Sequence, residues 1–184
     1  ILEAILMIAP LVVSLIYKES LRNNIAFIIP IIILTIIGFS LQSLKPKRND
    51  LYQKEGFALT ALVWIIMTLF GAMPFVINGD IPNYIDACFE IMSGFTTTGA
   101  SIVEDITTLS RSTLFWRSFS HWIGGMGILV FLAALLPVLG ISGQMVANAE
   151  TPGPTEEKVT GKFSDTAREM YLIYLIMTIA EIFC

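Results

Sequence analysis

Residues 96–101 read Thr-Thr-Thr-Gly-Ala-Ser, and the chemistry this stretch permits is specific. A cation that leaves water loses hydration no single contact restores, so a selective path must present a ring of oxygens in its place. Thr96, Thr97 and Thr98 offer successive backbone carbonyls and hydroxyls. Gly99 can take a positive φ and so turn its carbonyl toward an axis without a side-chain clash. Ionisable groups flank the stretch. Glu90 precedes it, and Arg117 and His121 follow one helical turn apart, on one face. Their expected role is support behind the loop, through hydrogen bonds or pairing with Glu90. Asp80, Asp86, Glu104 and Asp105 are expected to concentrate cations at its mouth.

Such a loop needs elements to hold it. Residues 84–95 are a dozen mostly apolar positions, enough for a helix reaching about halfway through hydrocarbon at roughly 1.5 Å per residue. The chain must therefore enter and return on one side. The return path is β-branched and rich in hydroxyls, unsuited to continuing a helix, and we expect it to be extended. Non-helical backbone at membrane depth is tolerated only where protein buries it or an aqueous cavity meets it. A half-length helix followed by such a strand has the layout of a pore loop. The helix's partly negative C-terminal end would then favour a dehydrated cation.

The rest of the chain supplies the membrane setting. Of its 184 residues 55% are hydrophobic and 14% charged, against about a quarter charged in soluble domains. The fold class is all-α integral membrane. Helices are expected over residues 1–17, 25–44, 57–77 and 112–139, with a polar turn at 18–24, a polar segment at 141–169 and a further apolar run at 171–184. Residues 1–55 form a transmembrane hairpin with a cytoplasmic loop, 56–140 a helix, pore loop, helix repeat, and 141–184 a linker leading to a second repeat. Lys45, Lys47, Arg48, Lys54, Lys158, Lys162 and Arg168 lie in the loops on one side of this arrangement, whereas on the other the turn before Ile25 holds two, Lys18 and Arg22, and residues 78–110 hold none. That asymmetry puts the former side in the cytoplasm, where the 45–54 loop can also touch lipid headgroups or a cytoplasmic subunit. Gly124, Gly125 and Gly127 are expected to pack closely, with a bend as the alternative. Residues 1–17 lack a basic flank and a small-residue cleavage site, so they do not read as a signal peptide. The chain starts and stops within apolar runs and is expected to be a piece of a longer polypeptide.

Composition also excludes some functions. A net charge of −4 with eleven Lys plus Arg gives no basic face for nucleic acid. Cys88 and Cys184 match neither a metal spacing nor a disulfide framework.

Residues 89–101, Phe-Glu-Ile-Met-Ser-Gly-Phe-Thr-Thr-Thr-Gly-Ala-Ser, and 115–128, Phe-Trp-Arg-Ser-Phe-Ser-His-Trp-Ile-Gly-Gly-Met-Gly-Ile, resemble the first pore repeat of the Trk/Ktr/HKT potassium transporters. The preceding hairpin makes the TrkH branch the better match. The resemblance implies four such repeats around a potassium pathway, a homodimer, and a cytoplasmic nucleotide-binding subunit of the TrkA kind. It implies ion binding by Thr96, Thr97, Thr98, Gly99 and Ala100, with potassium held by the carbonyls of Thr97, Thr98 and Gly99, and no covalently bound cofactor. This chain would supply one quarter of the filter in a cell inner membrane. One glycine in the filter stretch suggests weaker discrimination against sodium than in a potassium channel.

Two other readings compete with this one. A homotetrameric channel subunit fits the single repeat but not the extra hairpin. An intramembrane hydrolase could draw on Ser101, Ser118, Ser120 and His121, yet there is no Gly-x-Ser-x-Gly elbow, and adjacent Ser120 and His121 point to different helix faces.

Overall fold

A computed structural model describes residues 1–43, 53–125, 127 and 163–183. The described elements are helical: α1 (Leu2–Leu6), α2 (Ile8–Ile16), α3 (Leu21–Ser43), α4 (Gln53–Asn78), α5 (Tyr84–Phe95), a short 3-10 turn (Ile106–Thr108), α6 (Arg111–Gly125) and α7 (Phe163–Phe183). They fall into two compact units, Ile1–Lys47 with Val63–Gly125, and Arg48–Leu62 with Met126–Cys184.

In the first unit, the expected opening helix is interrupted at Met7. Pro10 has no N–H to offer the Leu6 carbonyl and its ring crowds that carbonyl. The Leu11 N–H to Met7 carbonyl bond, at 3.3 Å, carries the chain past the break. Helix α3 starts four residues earlier than the apolar run, because Ser20 accepts the Asn23 amide on its hydroxyl (3.4 Å) and on its carbonyl (3.0 Å), a side-chain cap that makes polar residues helical. Leu21–Ser43 and the Ala61–Asn78 part of α4 are long and apolar enough to cross a membrane. Many isoleucines of α3, such as Ile32 and Ile36, are exposed, as a face toward lipid requires.

Helix α5 is capped by Asn83, whose side chain accepts the Ile85 amide at 3.0 Å, and carries Asp86 in its first turn. Its 12 residues span about 18 Å. The chain then comes back to where it left α4. Asp80, just past α4, accepts from the Ser110 amide (3.1 Å) and hydroxyl (2.8 Å), just before α6. Everything between is one out-and-back excursion, as the length of the 84–95 stretch predicts.

The core that fixes this excursion lies among α4, α5 and α6. Trp116 is fully buried, meets Phe95 edge-on at 6.1 Å between ring centres, and donates its indole N–H to the Gly71 carbonyl at 2.9 Å. Gly71 allows this close approach, since a Cβ there would come within 3.0 Å of Ile91. At Gly124 the approach is closer still, and a Cβ would overlap the Phe95 carbonyl. The packing expectation thus holds for Gly124 and is corrected at Gly127. Its φ of 69° follows the end of α6 at Gly125, so the helix expected over 112–139 stops early; residues 128–139 lie outside the described ones.

In the second unit, α7 begins at Phe163, inside the segment expected to be a polar linker. The basic stretch 45–48, Lys158, Lys162 and Cys184 lie outside the described residues.

Candidate functional site

The C-terminus of α5 delivers the loop. The Thr97 amide donates to the Gly94 carbonyl (2.9 Å) and the Thr98 amide to the Ser93 carbonyl (3.0 Å), the paired bonds of a Schellman ending. Such an ending needs a left-handed residue, usually glycine, and here it is Thr97, with φ 54°. A β-branched residue in that region is a genuine outlier. The return path is therefore not extended from its start, as expected; it turns sharply at Thr97 and again at Gly99, where φ is 75°. Gly99 takes the positive φ expected of it. Nothing in the sequence signals the conformation of Thr97.

The turn directs the amides of Thr97 and Thr98 back into α5. Among the described residues, no donor reaches the carbonyls of Thr96, Thr97, Thr98 or Gly99, and residues 96–100 are exposed. The Thr96 hydroxyl bonds the Met92 carbonyl and the Thr98 hydroxyl, each at 2.8 Å, so among the described residues the oxygens left free are these carbonyls and the Thr97 hydroxyl.

A second anchor holds the far end of the loop. Glu90 is fully buried on α5. Its carboxylate accepts from the Ser101 hydroxyl (3.0 and 3.1 Å), the Ile102 amide (2.9 Å) and Arg117 Nε. One turn along α5, the Ser93 hydroxyl donates to the Ala100 carbonyl at 2.5 Å. Glu90 and Arg117 thus come together behind the loop as expected. Ser93 was missed, although its place three residues after Glu90 on the same helix face carried the signal.

His121 does not join them. Its Nδ1 lies 2.9 Å from the Arg117 carbonyl, so it bonds its own helix and not Glu90, while packing against Gly94. The acidic residues of the expected mouth divide. Asp80 is engaged by Asn78 and Ser110, and Asp105 accepts the Thr107 hydroxyl (2.6 Å) and amide (2.9 Å), which hold its carboxyl below the usual range. Glu104 is exposed. The serines weighed for hydrolysis are spent elsewhere: Ser101 on Glu90, Ser118 on the Leu114 carbonyl, Ser120 on the Arg117 carbonyl. Cys88 is a free, half-buried thiol on α5.

A helical membrane protein, with a half-length helix that carries an anchored loop out and back, is the class these features define. Residues 23–184 match the family TrkH, described as cation transport protein, and the chain belongs to that family. It is 36% identical over 185 residues to the Trk system potassium uptake protein TrkG of Escherichia coli (strain K12), covering 100% of this chain and 38% of that one. It is 37% identical over 183 residues to the Trk system potassium uptake protein TrkH of Vibrio parahaemolyticus, covering 97% and 37%. The crystal structure of the potassium transporter TrkH from Vibrio parahaemolyticus superimposes with a TM-score of 0.71 at 34% identity, covering 97% of this chain and 35% of that one. The chain thus spans well under half the length of the relatives it matches.

Proposed function

We propose that this chain is part of a potassium uptake protein of the channel-like kind, not an enzyme, and that it supplies one quarter of the selectivity filter. The observation that carries this reading is the row of unclaimed carbonyls from Thr96 to Gly99, held between a Schellman turn and the buried Glu90. In this reading the carbonyls of Thr97, Thr98 and Gly99 replace water around a potassium ion, with Thr96 and Ala100 at the ends of the row. Glu90 and Arg117 support it from behind, and His121 supports it only through its packing on Gly94. Residues 1–55 act as a membrane hairpin, 56–140 as the pore repeat and 141–184 as the start of the next, in a multi-pass protein of the cell inner membrane. The partners are further repeats of the same polypeptide, a second copy, surrounding lipid and a cytoplasmic nucleotide-binding subunit of the TrkA kind. Potassium is cargo, and no covalently bound cofactor is part of the reading.

Gly99→Asp tests it. Asp tolerates positive φ better than most residues, and a Cβ at position 99 meets nothing within 4 Å, so the variant can fold with a carboxylate beside the row. In potassium-starved cells lacking their own transporters, the full-length protein should support rubidium uptake and the variant, at equal membrane abundance, should not. Equal uptake by both would remove the loop from the ion path.

A further inference from the structure

The turn between α2 and α3 does more than join them. Glu19 accepts the Ser112 amide at 3.1 Å and the Ser112 hydroxyl, in the first turn of α6, and Asn23 Nδ2 steadies its carboxylate at 3.0 Å. Three residues on, Arg22 Nε donates to the Ile77 carbonyl at 2.8 Å, in the last turn of α4. The Arg22 guanidinium lies beside Gly79, where a Cβ would be 3.1 Å from it. Arg111, at the start of α6, sits over the Tyr17 ring at 4.6 Å.

The signs of these contacts are matched. A helix N-terminus exposes unbonded amides and partial positive charge, and a C-terminus exposes carbonyls and partial negative charge. Glu19 faces the N-terminus of α6 and Arg22 the C-terminus of α4, so each charge meets the end it attracts. Exchanging the two would set like against like at both helix ends. Those helices are the two that flank the loop, and Arg117 lies little more than one turn beyond Ser112 on α6. Where the ends of α4 and α6 stand therefore sets where Arg117 meets Glu90, and with it the far anchor of residues 96–100.

We propose that Glu19 and Arg22 form an electrostatic brace by which the hairpin positions the ion-coordinating loop, so that both are positioning residues for cation selection. This rests on the reading of residues 96–100 as the ion path.

The test measures rubidium KM and the preference for rubidium over sodium in the full-length protein, per transporter at the membrane. Wild type is compared with Glu19→Gln, Glu19→Asp, Arg22→Gln, the exchanged pair Glu19→Arg with Arg22→Glu, and Gly99→Asp. A brace predicts that the exchanged pair weakens the preference or raises KM by about fivefold, with the neutral variants between it and wild type and Glu19→Asp close to wild type. A turn needed only for folding would lower abundance and total uptake while leaving KM and preference unchanged in every Glu19 and Arg22 variant, and that result overturns the proposal. The neutral variants keep the test decisive if the exchanged pair does not reach the membrane. Loss of uptake in Gly99→Asp with no shift in the brace variants rejects the brace alone. Unimpaired uptake in Gly99→Asp rejects the brace together with the ion-path reading.

Discussion

Glu90 concentrates more bonds than any other side chain of the site, and it does so with no exposure to solvent. Removing one member of a buried, hydrogen-bonded ion pair leaves the other charge uncompensated, at a cost of about 3–5 kcal/mol. Glu90→Ala would strand Arg117, the Ser101 hydroxyl and the Ile102 amide together. Glu90→Gln keeps one oxygen to accept from them but turns an amide donor toward the rest. In thermal unfolding of the full-length protein, Glu90→Ala should lower the midpoint clearly more than Glu90→Gln; equal midpoints would mean that Arg117 finds another partner. At this scale the sequence was only partly legible. An unpaired carboxylate on a membrane helix is so costly that Glu90 had to have a partner, and Arg117 was a natural one. His121 shares a face with Arg117 but bonds back to the Arg117 carbonyl, a choice between local and distant acceptors that spacing does not decide.

Helix α5 is wedged by two glycines whose constraints differ in kind. A Cβ on Gly94 meets the Ser120 side chain, whereas a Cβ on Gly124 meets the backbone carbonyl of Phe95. Overpacking at such contacts costs about 1–3 kcal/mol. Both Gly94→Ala and Gly124→Ala should destabilise the protein, and Ser120→Gly should recover stability in the first background but not in the second. Thermal unfolding of the four variants checks this, and recovery in the Gly124→Ala background would disprove the backbone contact. Element lengths were legible because apolar runs must match membrane thickness, and the excursion of α5 followed from a run too short to cross. Element ends were less so. The Ser20 cap lengthened α3 and Pro10 divided the first helix. Each reflects a single backbone bond gained or lost, which hydrophobic pattern does not record.

Across the first unit as a whole, the Glu19 contact links hairpin to repeat and should report on acid. Partial burial raises the pKa of this carboxyl, and hydrogen bonds from the Ser112 side chain, Asn23, the Ser112 amide and Ser14 outweigh that effect, leaving it below the usual value of 4.5. The folded-state value is therefore depressed. The stabilisation is present above about 4.5 and is lost as pH falls through the lower, folded value. Glu19→Gln should shrink the loss of stability between neutral pH and about pH 3, measured by unfolding of the full-length protein; an unchanged acid limb would assign that loss to other carboxylates. Thr97 has a different consequence. Its left-handed backbone is disfavoured for a β-branched residue in any isolated segment, so the bend cannot nucleate on its own. It is held by the Thr97 and Thr98 amides on the Gly94 and Ser93 carbonyls, and beyond it by Ser93 on Ala100 and by Glu90 on Ser101, Ile102 and Arg117. Amide hydrogen exchange at Thr97 and Thr98 should therefore report on the docking of α6 onto α5: it is expected to be faster in Glu90→Ala than in wild type, and equal rates would mean that the bend stands without that anchor.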